Sequence, residues 1–295
     1  MTIEACEYRN AFLNYKPDIA LITNIDPDHL DFFKTDEAYY AAFEHFMAQS
    51  RCVVMLADEY SRFQEIQSTK SKIQNKKSNQ TLVLVHADYF EVIGNTYGAL
   101  VVGKYTYQLP QLLIPGGHIR LDASLAYTTS QLLNIEPEVA QQSLQNYPGS
   151  WRRMEIVKNT QNNNILMSDY GHHPTEIRAT LSALRSAYPD KKIIVLFEPH
   201  QYSRTYDLRE EFATSFSNAD MAYIVDIYAA RDIDERRDMI TGSGLAQMIA
   251  QNTPCEYIGT LDDAGIKLQE LEKETTGNIL LLLGAGTIDE LRNKI

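Results

Sequence analysis

The chain reads as an α/β protein of two domains, the second built on a doubly wound, parallel sheet. Three observations predict this. Beyond residue 150, short apolar segments alternate with amphipathic segments of helical length, the pattern of strands joined by helical crossovers. A chain of 295 residues has room for two hydrophobic cores. Finally, Tyr147-Pro148-Gly149-Ser150 is a turn-rich break between an earlier region, 1–147, and a later one, 148–295.

In the first region an apolar run predicts a strand over 19–24, followed by a loop through Pro27 to Phe33 and a helix over 36–50. A second buried strand is expected over 51–57. The stretch 67–80, QSTKSKIQNKKSNQ, is polar and narrow in composition and reads as a solvated connector. Strands are expected over 81–85, 89–93 and 99–105, the last two joined by the turn Asn95-Thr96-Tyr97-Gly98, and helices over 121–133 and 137–146. In the second region strands are expected over 155–158, 165–168, 192–197, 221–226, 255–258 and 278–283. Helices are expected over 174–187, 207–217, 243–251, 261–274 and 288–294.

Composition narrows the function. Lys and Arg total 27 against 39 Asp and Glu, a net charge of -12, which argues against a nucleic-acid partner. A phosphate would have to be held by local arginines, helix N-termini or a metal. Cys6, Cys52 and Cys255 are odd in number and far apart, as expected in a reducing compartment. The acidic start Met1-Thr2-Ile3-Glu4 has no basic segment before an apolar run, so no signal peptide is expected. The longest apolar run, 279–283, is too short to span a membrane. A cytoplasmic protein with no membrane partner is the expectation.

The chemistry-bearing residues gather at the ends of expected strands. Asp169-Tyr170-Gly171-His172-His173-Pro174-Thr175-Glu176 follows a strand and opens a helix at Pro174, where a missing N–H costs nothing and Glu176 suits the positive end of the dipole. Phe197-Glu198-Pro199-His200-Gln201-Tyr202-Ser203-Arg204-Thr205 and Asp226-Ile227-Tyr228-Ala229-Ala230-Arg231 end the next two strands. Open α/β sheets bind ligands at such carboxyl ends, and Arg204 offers a guanidinium to a carboxylate or phosphate there. Trp151-Arg152-Arg153-Met154-Glu155 sets two arginines at the domain boundary, either as a phosphate clamp or as an interdomain ion pair. A hydrolytic metal site at Asp169, His172 and His173 is the weaker reading, because adjacent histidines on one turn rarely face one ion.

Four other segments carry two readings each. Glu4 and His29 sit at the margins of strand-like segments and could share Mg2+, or could be a solvated acid and a loop cap. Gly98 to Tyr105 superficially fits a phosphate loop, but Tyr105 occupies the Ser/Thr position and the interior is β-branched, so a hairpin strand is expected and no Walker A motif is present. Gly116-Gly117-His118-Ile119-Arg120-Leu121-Asp122 leads into a helix and could seat an adenine or phosphate, or be a plain loop and cap. Leu283-Gly284-Ala285-Gly286-Thr287 is a strand-to-helix turn lacking the third glycine of a dinucleotide fingerprint.

Together the segments EACEYRNAFLNYKPDIALITNIDPDHLDFF, WRRME, DYGHHPTEI, FEPHQYSRT, DIYAARD and LLGAGTI resemble the Mur ligases, in the family's order and over most of the chain. The resemblance is nearest to members that join L-alanine to UDP-N-acetylmuramate. It implies that 1–147 is part of a central ATPase-type α/β domain without its P-loop, and that 148–295 is the Rossmann-like C-terminal domain. It implies ATP and Mg2+ as cofactors and an acyl-phosphate intermediate. By motif position, Glu4 and His29 would be Mg2+ ligands, and Arg152 and Arg153 would meet the γ-phosphate. Asp169 and His172 would serve catalysis; Tyr170, His173, Gln201 and Arg204 would line the substrate side; His118 and Asp122 would lie near the adenine. Two departures stand out. The family's G-x-H-N-x-x-N pattern carries Ile119 and Asp122 in place of its asparagines, and Gln201 stands where some members carry arginine.

Two classes of function stay open. One is a ligase whose activity belongs to a longer protein with an N-terminal region missing here, the alternative acceptor being a muropeptide recycled by a related ligase. The other is a non-catalytic binding or regulatory module derived from the family.

Overall fold

The computed structural model describes residues 1–70, 80–94, 100–230 and 235–295. Residues 71–79 of the expected connector, the turn at 95–98, the start of the glycine-flanked strand at 98–99 and Arg231 lie outside the described residues. By contacts the chain divides into two compact units: Met1–Leu113 with His118–Tyr147, and Ile114–Gly117 with Pro148–Ile295.

The first unit holds a five-stranded sheet in the order β1 (Ile19–Ile22), β2 (Cys52–Leu56), β3 (Thr81–Val85), β4 (Tyr89–Gly94) and β5 (Gly103–Thr106). The strands β1, β2 and β3 run parallel, because helices carry the chain back between them: α1 (Leu30–Phe33) and α2 (Asp36–Ala48), then α3 (Ala57–Lys70). The last three strands are antiparallel, as the short connection after β3 dictates. In α2, Thr35 caps the start by accepting from the Ala38 N–H at 3.2 Å. Its Tyr39, Phe43 and Phe46 then recur on one face and bury with Phe12 and Met55. The opposite sheet face, with Val54, Val83, Phe90 and Val92, is covered through Leu125 and Tyr127 of α4 (Gly117–Leu132) and Ala140 of α5 (Pro137–Gln145).

The second unit holds six strands: β6 (Glu155–Asn159), β7 (Ile165–Asp169), β8 (Ile193–Phe197), β9 (Met221–Val225), β10 (Cys255–Gly259) and β11 (Ile279–Leu283). Their order is β10-β9-β8-β11-β7-β6, parallel except for β6, which pairs antiparallel with β7 because a tight turn joins them. The helices are α6 (Pro174–Ala187), α7 (Tyr202–Asp207), α8 (Arg209–Ser215), α9 (Gly242–Ile249) and α10 (Leu261–Glu274). All five residues of β11 are buried. Leu280 and Leu282 face Ala264, Leu268 and Leu271 of α10. On the other side Phe197 meets Phe212 at 5.9 Å and Phe216 at 5.3 Å. Helices thus cover both faces, the doubly wound arrangement. The chain passes from β7 to β8 over the place that β11 later fills, which sets the turns after these three strands side by side at the carboxyl edge where such sheets bind ligands.

Several expectations are corrected. The helix expected over 207–217 is the shorter α8, preceded by the unexpected α7; the loop expected through Phe33 ends in α1; β6 departs from the parallel sheet; and the final helix is a 3-10 turn over Ile288–Asn293. The helix α3 was not expected at all. The strand expected from 99 begins at Gly103.

Candidate functional site

The site is built from turns that leave β7, β8, β9 and β11. Asp169 ends β7 at 4% exposure. Its Oδ2 accepts from the Met154 N–H at 2.8 Å, and its Oδ1 accepts from the Gly171 N–H at 2.9 Å and the Thr180 hydroxyl at 3.2 Å. Both oxygens are therefore committed, and Asp169 braces the turn from within. Gly171 is required at its place, since a Cβ there would lie 2.8 Å from Asp169 Oδ1.

At the start of α6, His173 Nδ1 accepts from the Thr175 N–H at 3.3 Å, and Glu176 Oε2 accepts from the His172 and His173 N–H groups at 2.9 and 3.1 Å. This is a capping box with histidine as the cap. Burial opposes the Glu176 charge, yet His172, these N–H groups and Arg153 hold its carboxyl below the usual range. His172 Nδ1 lies 3.4 Å from Glu176 Oε2 and 3.1 Å from the Tyr170 carbonyl. The expected histidine pair thus splits: His173 caps, while His172 turns to its neighbours.

Four rings cross the carboxyl ends of β7, β8 and β9. Tyr170 and His172 meet edge-on at 5.5 Å, His172 and His200 at 5.7 Å, and His200 stacks on Tyr228 at 5.6 Å. Two guanidinium groups approach the Tyr170 ring, Arg152 at 4.9 Å and Arg153 at 5.2 Å. The two arginines differ in kind. Arg152 is 6% exposed and donates from Nη2 to the Gly284 carbonyl, whereas the Arg153 side chain is 50% exposed and lies 3.8 Å from Glu176. Gln201 adopts a left-handed φ of 70° before α7, its N–H donating to the Tyr228 carbonyl at 2.8 Å. Arg204, expected to face a ligand, is buried and bonded to His200.

Glu198 received no role from the sequence. It is 4% exposed and clasps the glycine turn after β11, accepting from the Thr287 hydroxyl at 2.8 Å and the Ile288 N–H at 3.0 Å. Burial pushes its carboxyl up, against these bonds and Arg152. A Cβ at Gly286 would overlap Glu198 Oε2 and come within 2.9 Å of Tyr228 Cγ. That closeness explains the G-x-G turn without a dinucleotide. The signal in the sequence was an acid placed directly after a wholly apolar strand.

Residues 2–108 match the family model of the Mur ligase middle domain, and residues 152–286 match that of the Mur ligase glutamate ligase domain. The chain belongs to the Mur ligase family. A UDP-N-acetylmuramate–L-alanine ligase of Alkaliphilus metalliredigens is 34% identical over 297 residues, which cover 97% of this chain and 62% of the relative. The Mur ligase chain described here thus spans about three fifths of that relative's length. The crystal structure of a UDP-N-acetylmuramate–alanine ligase from Thermotoga maritima superposes with a TM-score of 0.66 at 22% identity, covering 97% of this chain and 60% of that one. A bifunctional folylpolyglutamate synthase/dihydrofolate synthase from Yersinia pestis, solved with AMPPNP and a manganese ion, gives 0.61 at 15% identity, covering 96% of this chain and 62% of that one. The two structures share its fold.

In the middle-domain unit of this Mur ligase, His29 has a left-handed φ of 56° and sets its Nε2 3.5 Å from Glu7 and 3.9 Å from Asp28. Glu4 is exposed. Among the described residues no group of three or more His, Cys, Asp or Glu is placed to hold a metal. This also leaves the hydrolytic reading of Asp169, His172 and His173 without support, since Asp169 is spent on donors. His118 and Asp122 lie one turn apart at the start of α4. Among the described residues no helix is long and apolar enough to cross a membrane.

Proposed function

We propose that this chain is part of a UDP-N-acetylmuramate–L-alanine ligase, an ATP-dependent enzyme of peptidoglycan precursor synthesis. The observation that carries the proposal is the 34% identity, running through 97% of the chain, to a relative of that name. The ring-lined carboxyl edge with its exposed Arg153 supports it. A cytoplasmic site of action belongs to the same proposal.

In the first step a carboxylate oxygen of UDP-N-acetylmuramate attacks the γ-phosphorus of ATP, the bond to the bridging oxygen breaks, and ADP leaves an acyl phosphate. In the second, the alanine amine attacks the acyl carbon and loses a proton, the carbon–oxygen bond breaks, and phosphate departs from the new amide. Negative charge gathers in both steps, so positioned cations lower both barriers. Arg153 suits this task, because its guanidinium is exposed yet steadied against the Tyr170 ring. Arg152 holds the glycine turn, and Asp169 fixes the backbone from which both arginines project. Tyr170, His172, His173 and Gln201 would line the acceptor side, and by motif position His118 and Asp122 of the other unit would contact the adenine.

Magnesium usually takes one or two protein groups and completes its shell with water and phosphate oxygens. By motif position Glu4 and His29 would hold it, and the structure sets the Glu7 and Asp28 oxygens beside His29. Held there, the ion would supply charge neutralisation to phosphoryl oxygens. The sequence carries no Walker A pattern, so residues 1–295 alone are expected not to turn over ATP.

The test is phosphate release by the longer polypeptide supplied with ATP, Mg2+ and UDP-N-acetylmuramate. Release that depends on L-alanine is expected. Release with a muropeptide tripeptide in place of L-alanine would assign the recycling reaction, and no release from a folded protein would assign a non-catalytic module.

A further inference from the structure

Arg153 stands between two residues with left-handed backbone, Arg152 at a φ of 55° and Met154 at 48°. That region is unfavourable for residues with side chains, so the turn persists only where its surroundings hold it. Two carboxylates do so. Asp169 accepts from the Met154 N–H at 2.8 Å, and Glu155 Oε2 accepts from the Arg152 N–H at 2.9 Å. The Arg152 carbonyl accepts from the Tyr170 N–H at 2.7 Å. Asp169 is buried, but the Glu155 side chain is 27% exposed, and its carboxylate stays in place only if something grips it.

Arg292 supplies the grip from the 3-10 turn over Ile288–Asn293. It forks onto Glu155, donating from Nη2 to Oε2 at 2.7 Å and from Nη1 to Oε1 at 3.1 Å. A planar guanidinium making two parallel bonds fixes the plane of a carboxylate as well as its position. Nε of the same group donates to Asp289 Oδ1 at 2.9 Å, and that oxygen also accepts from the buried Ser168 hydroxyl at 2.5 Å. Ser168 and Asp169 are neighbours at the end of β7, so their side chains leave opposite faces of the strand. One strand end therefore anchors the arginine turn twice, through Asp169 directly and through the relay of Ser168, Asp289, Arg292 and Glu155.

We propose that Arg292 is a positioning residue: acting through Glu155, it fixes the turn that presents Arg153 to an anionic group of the substrate. Arg292 itself touches no ligand. Which anion Arg153 meets rests on the ligase reading; the hold on the turn does not.

Two measurements test this. Amide hydrogen exchange of the full chain reads the hold. The Arg152 N–H should be protected in wild type and exchange at least tenfold faster in R292M and in E155Q, while the β11 amides, such as that of Leu281, stay unchanged. An Arg152 amide that exchanges freely in wild type, or equally in all three proteins, would overturn the proposal; the wild-type result needs no variant to fold. Turnover by the longer polypeptide reads the consequence. R292M should lower kcat about tenfold to a hundredfold, with KM for L-alanine within twofold of wild type. In an R153M background the same substitution should change kcat less than twofold, because the side chain being positioned is gone. An equal loss in both backgrounds, as a general weakening of the fold would give, would overturn the proposal. Absent turnover in wild type would count against the ligase reading alone, and the exchange of the Arg152 amide would still decide whether Arg292 holds the turn.

Discussion

Asp169→Asn separates a brace from a group that serves a ligand. The amide keeps the shape of the side chain but replaces one oxygen with a donor. Whichever way it flips, that donor faces a backbone N–H, of Met154 in one orientation and of Gly171 in the other. One bond to a charged acceptor is lost, worth about 1.5–3 kcal/mol, and the remaining ones weaken to the neutral value of about 1 kcal/mol each. Relief from burying a charge offsets part of this, so a net destabilisation of about 3 kcal/mol is expected. For a unit of this size that corresponds to roughly 6–12 °C in the melting transition. Thermal and urea unfolding followed by circular dichroism would measure it. Thr180→Val removes a single bond, at 3.2 Å, and should cost about 1 kcal/mol. If Asp169→Asn lies within about 0.5 kcal/mol of wild type, or if Thr180→Val costs as much, the bracing argument fails.

Three further outcomes follow from the same geometry. Glu198→Gln can keep both clasping bonds, accepting from Ile288 and donating to Thr287, so it should fold within about 1 kcal/mol of wild type. Because burial raises the Glu198 carboxyl, wild type should lose stability relative to this variant as pH rises from the usual carboxylate range through the raised value, then level off; parallel pH curves for the two proteins would contradict this. Glu155 behaves in the opposite sense. Its bonds from Arg292, at 2.7 and 3.1 Å, hold its carboxyl low, so the stability it supplies is present at neutral pH and lost as pH falls through the lowered value. Arg292→Met should remove that acid limb of the unfolding curve at a cost of about 1 kcal/mol near neutrality. Gly286→Ala should destabilise by about 1–3 kcal/mol, read by the same melts, because its Cβ collides with Glu198 and Tyr228.

Much of the second unit was legible because local rules and burial agree there. Pro174 with Glu176, and Thr260 with Asp263, mark the starts of α6 and α10, and both helices run over the residues that periodicity indicated. The central strands β8 and β11 carry unbroken apolar runs, as a sheet covered on both faces requires. The direction of β6 was not legible, since pairing direction depends on the connection rather than on composition. The helix α3 stayed hidden because its sequence, ADEYSRFQEIQSTK, is mostly polar and, among its described side chains, buries only Ala57 and Phe63.

The site was legible as a set of strand-end turns but not as roles. Asp169 and Arg204 are charged residues in turns, which sequence alone reads as ligand-facing. The structure turns both inward, because the Met154 and Gly171 N–H groups and the His200 ring need partners there. Glu198 was passed over for the same reason. Its partners, Thr287 and Ile288, lie some ninety residues away and meet it only once β11 has entered between β7 and β8.

The central claim, that this chain belongs to an enzyme that makes an amide through an acyl phosphate, is tested most directly by isotope transfer. The longer polypeptide would be given UDP-N-acetylmuramate labelled with oxygen-18 in its carboxylate, together with ATP, Mg2+ and L-alanine, and the products read by mass spectrometry. The account predicts UDP-N-acetylmuramoyl-L-alanine together with one labelled oxygen in the released phosphate. Unlabelled phosphate, or no alanine adduct from a folded and nucleotide-binding protein, would contradict it.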